Sequence, residues 1–203
     1  MIPERPSTTT RAPGAAGLPR ARELLVVCAV LGLLQAPGSA AILALRYDRT
    51  SIEHGQWWRA LTAHFVHLDW GHWAMNVAGL VGLWWLYVVQ ASRTQWLAVV
   101  AASGLMISLA LYVRDPAVDW YVGLSGVLHA LWAAAAVAMW RTSRVEAAGA
   151  LALLIAKLVF EYVHGPLSGG PGSTLPVVSA AHRYGAAAGL LCALSLRLWR
   201  KPL

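Results

Sequence analysis

The chain has 203 residues, of which 58% are hydrophobic and 12% charged, with a mean hydropathy of +0.56, a composition too apolar for an ordinary soluble domain of this length. Its net charge of +7 does not mark a nucleic-acid binder, because the basic residues stand singly between apolar segments and form no stripe with interleaved aromatics. What remains is an all-α integral membrane protein. A bilayer crossing takes roughly 20 apolar residues, which predicts a bundle of about six transmembrane helices near 24–45, 72–91, 95–113, 121–140, 146–163 and 179–198.

Residues 1–19, rich in Pro, Thr and Arg, are expected to be a disordered tail, leaving 20–200 as one membrane domain. Arg20 and Arg22, the run from Leu24 to Leu34, and Ala36-Pro37-Gly38-Ser39-Ala40 together resemble a cleavable signal peptide. The apolar run nevertheless resumes through Leu45, long enough to span with a kink at Pro37. Cys28 and Cys192 both fall within expected spans, so they imply no disulfide framework.

Basic residues report topology. Arg5, Arg11, Arg20, Arg22, Arg93, Arg141, Arg144, Arg197, Arg200 and Lys201 lie before the first span or after the second, fourth and sixth. The other connections carry only Arg46, Arg49, Arg59, Arg114 and Arg183. This asymmetry predicts both termini in the cytoplasm.

The connection from Arg46 to Gly71 is then the largest external element. Its Trp57, Trp58 and Trp70, with Leu61, Phe65, Val66 and Leu68, predict a segment lying in the membrane interface, where tryptophan anchors at headgroup level. It also holds His54, His64 and His67. In the span that follows, His72 and Asn76 are four residues apart and therefore share one helical face.

The fourth segment is short: Ser125 to Trp140 makes roughly 24 Å of helix at ~1.5 Å per residue. If it reaches the cytoplasmic Arg141, its Ser125 end stops below the outer surface in a protein-walled, wet cavity. A serine there is a nucleophile with access to water. In the fifth segment Lys157 and Glu161 are spaced for an i,i+4 ion pair inside the membrane, with either a structural role or one in the active site or substrate docking. The connection from His164 to Val178 is rich in Gly, Pro and Ser, without a formal charge. It is expected to be mobile, placed to cover or gate the sixth segment, which opens on His182.

A serine hydroxyl needs a base to remove its proton, and peptide hydrolysis needs donors aimed at the developing oxyanion. His182 can be the base, while His72, Asn76 and the Ser125 backbone amide can serve the oxyanion. Each has a plainer reading when taken alone. A serine beside Gly123 and Gly126 also serves close helix packing, and a lone His182 also fits a buried hydrogen-bonding residue. Gly185 and Gly189 form a small-xxx-small face that would bring the His182 helix against the Ala-rich Ser125 helix.

Ala181-His182 with Gly185 and Gly189, Gly123-Leu124-Ser125-Gly126, the pair Trp58-Arg59, and His67, His72 and Asn76 in HFVHLDWGHWAMN together resemble the rhomboid intramembrane serine proteases, over about Trp58 to Gly189. The resemblance implies a six-helix rhomboid fold, a Ser125–His182 dyad, an oxyanion site from His72, Asn76 and the Ser125 amide, a structural Trp58-Arg59, and no cofactor or metal. One departure is His129, where many rhomboids carry a tyrosine that packs on the catalytic histidine. One turn from Ser125, it is the rival to His182 as base. GLSGVLHALW, TAHFVHLDWGHWAMN and Lys157 followed by Glu161 resemble the rhombosortases, a bacterial branch. That likeness implies membrane-anchored substrates with a C-terminal Gly-Gly motif, hydrophobic helix and basic tail, cut at the cytoplasmic membrane from its outer side.

Other classes fit less of the pattern. A membrane cytochrome with haem clamped by His72, His129 and His182 leaves Ser125 and Asn76 without a role. A zinc protease on His64, His67 and His72 lacks the HExxH pattern. A non-catalytic rhomboid relative that binds clients would have lost the serine or the histidine, and both are present.

Overall fold

The computed structural model describes residues 17–87, 90–166, 177–196 and 198. Residues 1–16 of the expected 1–19 tail, and residues 167–176 of the connection expected to gate His182, lie outside the described residues. Helix α1 (Gly17–Gln35) takes in Gly17, Leu18 and Pro19 at the edge of that tail. Proline is tolerated in a first helical turn, whose N–H groups have no intrahelical partner.

The expected first span is not one kinked rod. After Gln35 the chain turns through Ala36-Pro37-Gly38, and α2 (Ser39–Leu45) leaves at 101° to α1. Pro37 cannot continue the hydrogen-bond ladder, and Gly38 takes the left-handed φ of +59°, which glycine adopts without a Cβ penalty. A compact corner follows: β1 (Tyr47–Asp48), α3 (Arg49–Glu53), α4 (Arg59–Thr62) and a 3₁₀ turn (Ala63–Phe65). β1 pairs antiparallel with β2 (Trp120–Tyr121), Tyr47 opposite Tyr121.

The remaining helices are α5 (Trp70–Tyr87), α6 (Arg93–Arg114), α7 (Ser125–Met139), α8 (Arg144–His164) and α9 (Ala180–Ser195). Apart from the two-residue strand pair, the described structure is helical, as the sequence predicts, and all six expected segments contain helix. Ser92 and Gln95 close a capping box at the start of α6, and Ser143 accepts from the Glu146 amide at the start of α8, satisfying orphan N–H groups. Among the described residues α6 and α8 are long and apolar enough to cross a membrane, with the bent α1–α2 pair a third if counted as one span. Leu97, Leu105 and Leu109 on α6, and Leu153, Ile155 and Val159 on α8, are exposed, the lipid-facing stripe of a multi-pass membrane protein.

Helix α7 is different. Its 15 residues make roughly 22 Å, and Ala130, Ala133, Ala134, Ala135, Ala136 and Ala138 are fully or almost fully buried, so it is walled by protein on several sides. It packs on α5, α6, α8 and α9. The α9 contact is backbone on backbone: a Cβ on Gly185 would fall inside van der Waals distance of the Gly126 carbonyl, and one on Gly189 would meet the Ala130 carbonyl. Trp132 Nε1 donates to the Ala150 carbonyl (3.0 Å), fixing α8 beside α7. The starts of α5, α7 and α9 and the end of α8 thereby gather at one end of the bundle.

The corner from 46 to 66 is held by side chains reaching backbone. Arg59, buried, donates to the carbonyls of Leu43 (2.9 Å) and Arg46 (3.1 Å), and Thr62 Oγ1 donates to Leu45. His64 Nε2 lies 2.9 Å from the Gly104 carbonyl, and Ser108 Oγ donates to Ala60 (2.6 Å). Trp57, Trp58 and Trp70 are exposed, as interface anchors should be.

Candidate active site

Ser125 is the first residue of α7, and the chain enters it through Gly123 at φ +125°. A side chain at Gly123 would also collide with the His72 ring, whose Cε1 lies 2.6 Å from the Cβ position. Glycine is thus required here both for backbone and for space. The entry strand is pinned by the Gly123 amide donating to the Ala63 carbonyl (3.0 Å) and by the buried Tyr121 hydroxyl donating to the Gly123 carbonyl (2.6 Å).

His182 sits in the first turn of α9, buried, with Nε2 2.8 Å from Ser125 Oγ. The glycine contacts between α7 and α9 set that separation. His129 also reaches the site but does not touch the hydroxyl: its Nδ1–H donates to the Ser125 carbonyl (2.7 Å), and its ring stacks on His182 at 4.3 Å and 13°. It therefore occupies the packing position beside His182 and not that of a base on the hydroxyl.

His72 is buried at the start of α5 and Asn76 one turn on. The Leu68 amide faces His72 Nδ1 (3.4 Å), which leaves Nε2 to carry the proton and present a donor on the Gly123 side. Asn76 Nδ2 donates to the His72 carbonyl (2.8 Å), keeping one N–H to give. Beside His72 a cleft of about 250 Å³ opens, lined among others by Leu68, Val118, Trp120 and Val178. His67 packs edge-on against His72 (5.3 Å, 84°).

The sequence spacing foresees the ion pair between Lys157 Nζ and Glu161 Oε1 (2.7 Å). It does not reveal that the other oxygen, Oε2, lies 2.8 Å from His182 Nδ1. A second unforeseen tie is the Tyr184 hydroxyl donating to Asp115 Oδ2 (2.6 Å), which fastens the first turns of α9 to the end of α6. Trp58-Arg59 stands apart from this cluster, in the 46–66 corner.

The arrangement offers a hydroxyl, an imidazole in hydrogen-bond contact with it, a helix N-terminus that favours negative charge, and the His72 ring beside Gly123 with Asn76 one turn on, the parts of acyl-transfer chemistry. The Rhomboid domain profile matches residues 54–199. The chain belongs to the rhomboid family. No curated protein matches it. As a rhomboid it is an intramembrane serine protease acting on transmembrane substrates.

Other uses of the same histidines fit this rhomboid poorly. His129, Glu161 and His182 bring ligand atoms within 4.8 Å of one another, but two nearly parallel stacked imidazoles cannot both aim in-plane lone pairs at one ion. Lys157 also places its own cation on the carboxylate. Rings stacked at 4.3 Å leave no room for a haem between them, and His64, a member of the zinc set considered above, is turned to the Gly104 carbonyl.

Proposed function

We propose that this rhomboid is a rhombosortase-like endopeptidase. It cleaves membrane-anchored proteins near a C-terminal Gly-Gly motif that precedes a transmembrane helix and basic tail. Ser125 is the nucleophile and His182 the general base. The observation that carries the assignment is the 2.8 Å contact between Ser125 Oγ and His182 Nε2.

His182 Nε2 takes the hydroxyl proton as Ser125 Oγ attacks the scissile carbonyl. The oxyanion that forms accepts hydrogen bonds from the Ser125 amide, His72 and Asn76. Collapse expels the new amine with the proton that His182 held, leaving an acyl-enzyme on Ser125. A water, deprotonated by His182, releases the acid product and restores the hydroxyl. Gly123, Gly126, Gly185 and Gly189 set the close approach, and His129 supports the His182 ring. We place the protein in the bacterial cytoplasmic membrane with both termini cytoplasmic and the active site opening to the outer side, on the distribution of basic residues.

The Gly-Gly specificity rests on the rhombosortase-like motifs and on the physics of access. A peptide bond inside a helix hides its carbonyl, and glycine weakens helix by about 1 kcal/mol per residue relative to alanine. It also brings no side chain to obstruct the approach to a half-buried serine at the start of α7. The test is to co-express an anchored Gly-Gly protein with the wild type or with Ser125→Ala, and to map the new C-terminus by mass spectrometry. Cleavage beside the glycines by the wild type alone is expected. Continued cleavage by Ser125→Ala would remove the serine assignment. Efficient cutting of other transmembrane substrates with Gly-Gly anchors left whole would keep the protease and reject the sorting role.

A further inference from the structure

Inside the bundle a carboxylate is expensive, and replacing a buried ion pair by apolar residues of similar volume is often neutral or stabilising. The Lys157–Glu161 pair is thus poorly accounted for as a stabilising device. Glu161 is buried while the Lys157 side chain is partly exposed, so the lysine reaches the carboxylate from the open side. It occupies Oε1 and leaves Oε2 to His182.

The His182 ring needs two things to act as a base: a fixed plane, and a proton on the correct nitrogen. His129 supplies the plane by stacking, but gives His182 no hydrogen bond, since its Nδ1–H goes to the Ser125 carbonyl. A stacked ring can still flip or change tautomer. An acceptor at Nδ1 prevents both, because Nδ1 must then carry the proton and Nε2 presents its lone pair to Ser125.

Resting on His182 as the base proposed above, we infer that Glu161 is a positioning residue. Its Oε2 holds the Nδ1–H tautomer of His182, Lys157 braces its Oε1, and the dyad works as a Ser125–His182–Glu161 triad. The proton stays on Nδ1 throughout, and the carboxylate stabilises the imidazolium formed when Nε2 takes the serine proton. The groups facing His182 are Ser125 and His129 from α7, Glu161 from α8 and His72 from α5, with Lys157 on the other oxygen of Glu161.

The test uses the purified full chain in detergent and a fluorescent fluorophosphonate, which reports Ser125 reactivity without a peptide substrate. Its saturable labelling gives kinact and KI, with thermal melting as the measure of fold. In Glu161→Gln, Lys157 draws the amide oxygen and turns the NH₂ toward His182, which favours the wrong tautomer. A fall in kinact is expected, at least ~10-fold and toward the ~10⁴-fold seen when a serine protease loses its buried carboxylate, with KI within about 2-fold. Lys157→Met keeps the acceptor but removes its brace and leaves the carboxylate unpaired, so it should melt below wild type and label more slowly than wild type, yet faster than Glu161→Gln.

Glu161→Leu combined with Lys157→Met leaves no unpaired charge, although His182 Nδ1 loses its partner, so it should melt near the wild-type temperature, yet remain as slow as Glu161→Gln. This double variant decides the matter if Glu161→Gln does not fold. Full labelling by a folded double variant would overturn the positioning role and leave the ion pair structural. Undiminished labelling of His182→Ala would instead overturn the reading of His182 as base.

Discussion

The α7–α9 seam and the 46–66 corner both hold polar groups in fixed relation, by opposite means. In the seam, glycine removes side chains until backbone lies on backbone, Gly185 against Gly126 and Gly189 against Ala130. Nothing there can swing aside. In the corner, Arg59, Thr62, His64 and Ser108 reach out to carbonyls on other segments, so the load is shared among separate hydrogen bonds. The seam sets one distance, that between Ser125 and His182. The corner supports the entry strand of α7 through Ala63 and the β1–β2 pair, and should tolerate the loss of any one contact better.

The strongest way to break this comparison is Gly185→Val. Its Cβ would force α9 away from the Gly126 carbonyl, an obstacle that cannot rotate out of the way. A displacement of ~1 Å can cost about 100-fold in turnover, and overpacking a tight core costs ~1–3 kcal/mol, occasionally more. Expected are loss of detectable cleavage and a lowered melting temperature. An active, stable Gly185→Val would mean that the seam has slack.

His72 lies where the two regions meet, with its ring against Gly123 on one side and His67 on the other. Removing an oxyanion donor costs on the order of 100- to 1000-fold in turnover. His72→Ala and Asn76→Ala should therefore each slow cleavage by about that factor while fluorescence-detected melting moves little. Full activity in the double substitution would show that the backbone amides at the start of α7 suffice.

Arg59→Met examines the corner alone. It leaves the carbonyls of Leu43 and Arg46 without their donor, and an unsatisfied buried acceptor costs ~1–3 kcal/mol. The expected result is a lower melting temperature with turnover within about 10-fold of wild type, since the lost contacts are shared among neighbours. A loss of activity as deep as that of Gly185→Val, without unfolding, would erase the distinction between the regions.

The same contrast governs what the sequence discloses. Gly123-Leu124-Ser125-Gly126 and His182 followed by Gly185 and Gly189 are legible because close helix approach demands small residues at regular spacing, and those residues carry the pattern themselves. The corner is obscure because its acceptors are backbone carbonyls, which any residue provides, so nothing about Leu43 or Arg46 announces Arg59. The 101° turn between α1 and α2 is hidden because Pro37 and Gly38 mark a break without fixing its angle. Glu161 falls between these cases. Its i,i+4 spacing discloses Lys157, but its contact with His182 depends on how α8 is rotated, and Trp132 helps set that by bonding to the Ala150 carbonyl.

The smallest expected effect lies at the outer edge of the corner. Asp48 caps α3, accepting from the Ser51 amide (3.0 Å), and pairs with Arg46 (2.7 Å). Burial works to raise its carboxyl, but the hydrogen bonds from Ser51 and the Arg46 guanidinium prevail and hold it below the usual carboxylate range. A group whose folded value is lowered binds its proton more readily when unfolded, so its contribution is fully present above the ordinary value of about 3.9. It declines as pH falls through that value toward the lower folded one. At neutral pH, Asp48→Ala should lose about 1 kcal/mol, the usual worth of an N-cap, with cleavage unchanged. Between about pH 5 and pH 3, where carboxylates titrate, the stability difference between wild type and Asp48→Ala should shrink. Melting curves of the two proteins across that range measure it. A difference that grows as the solution is acidified would show that the capping reading has the wrong sign, and that this edge of the corner is held by something other than the carboxylate.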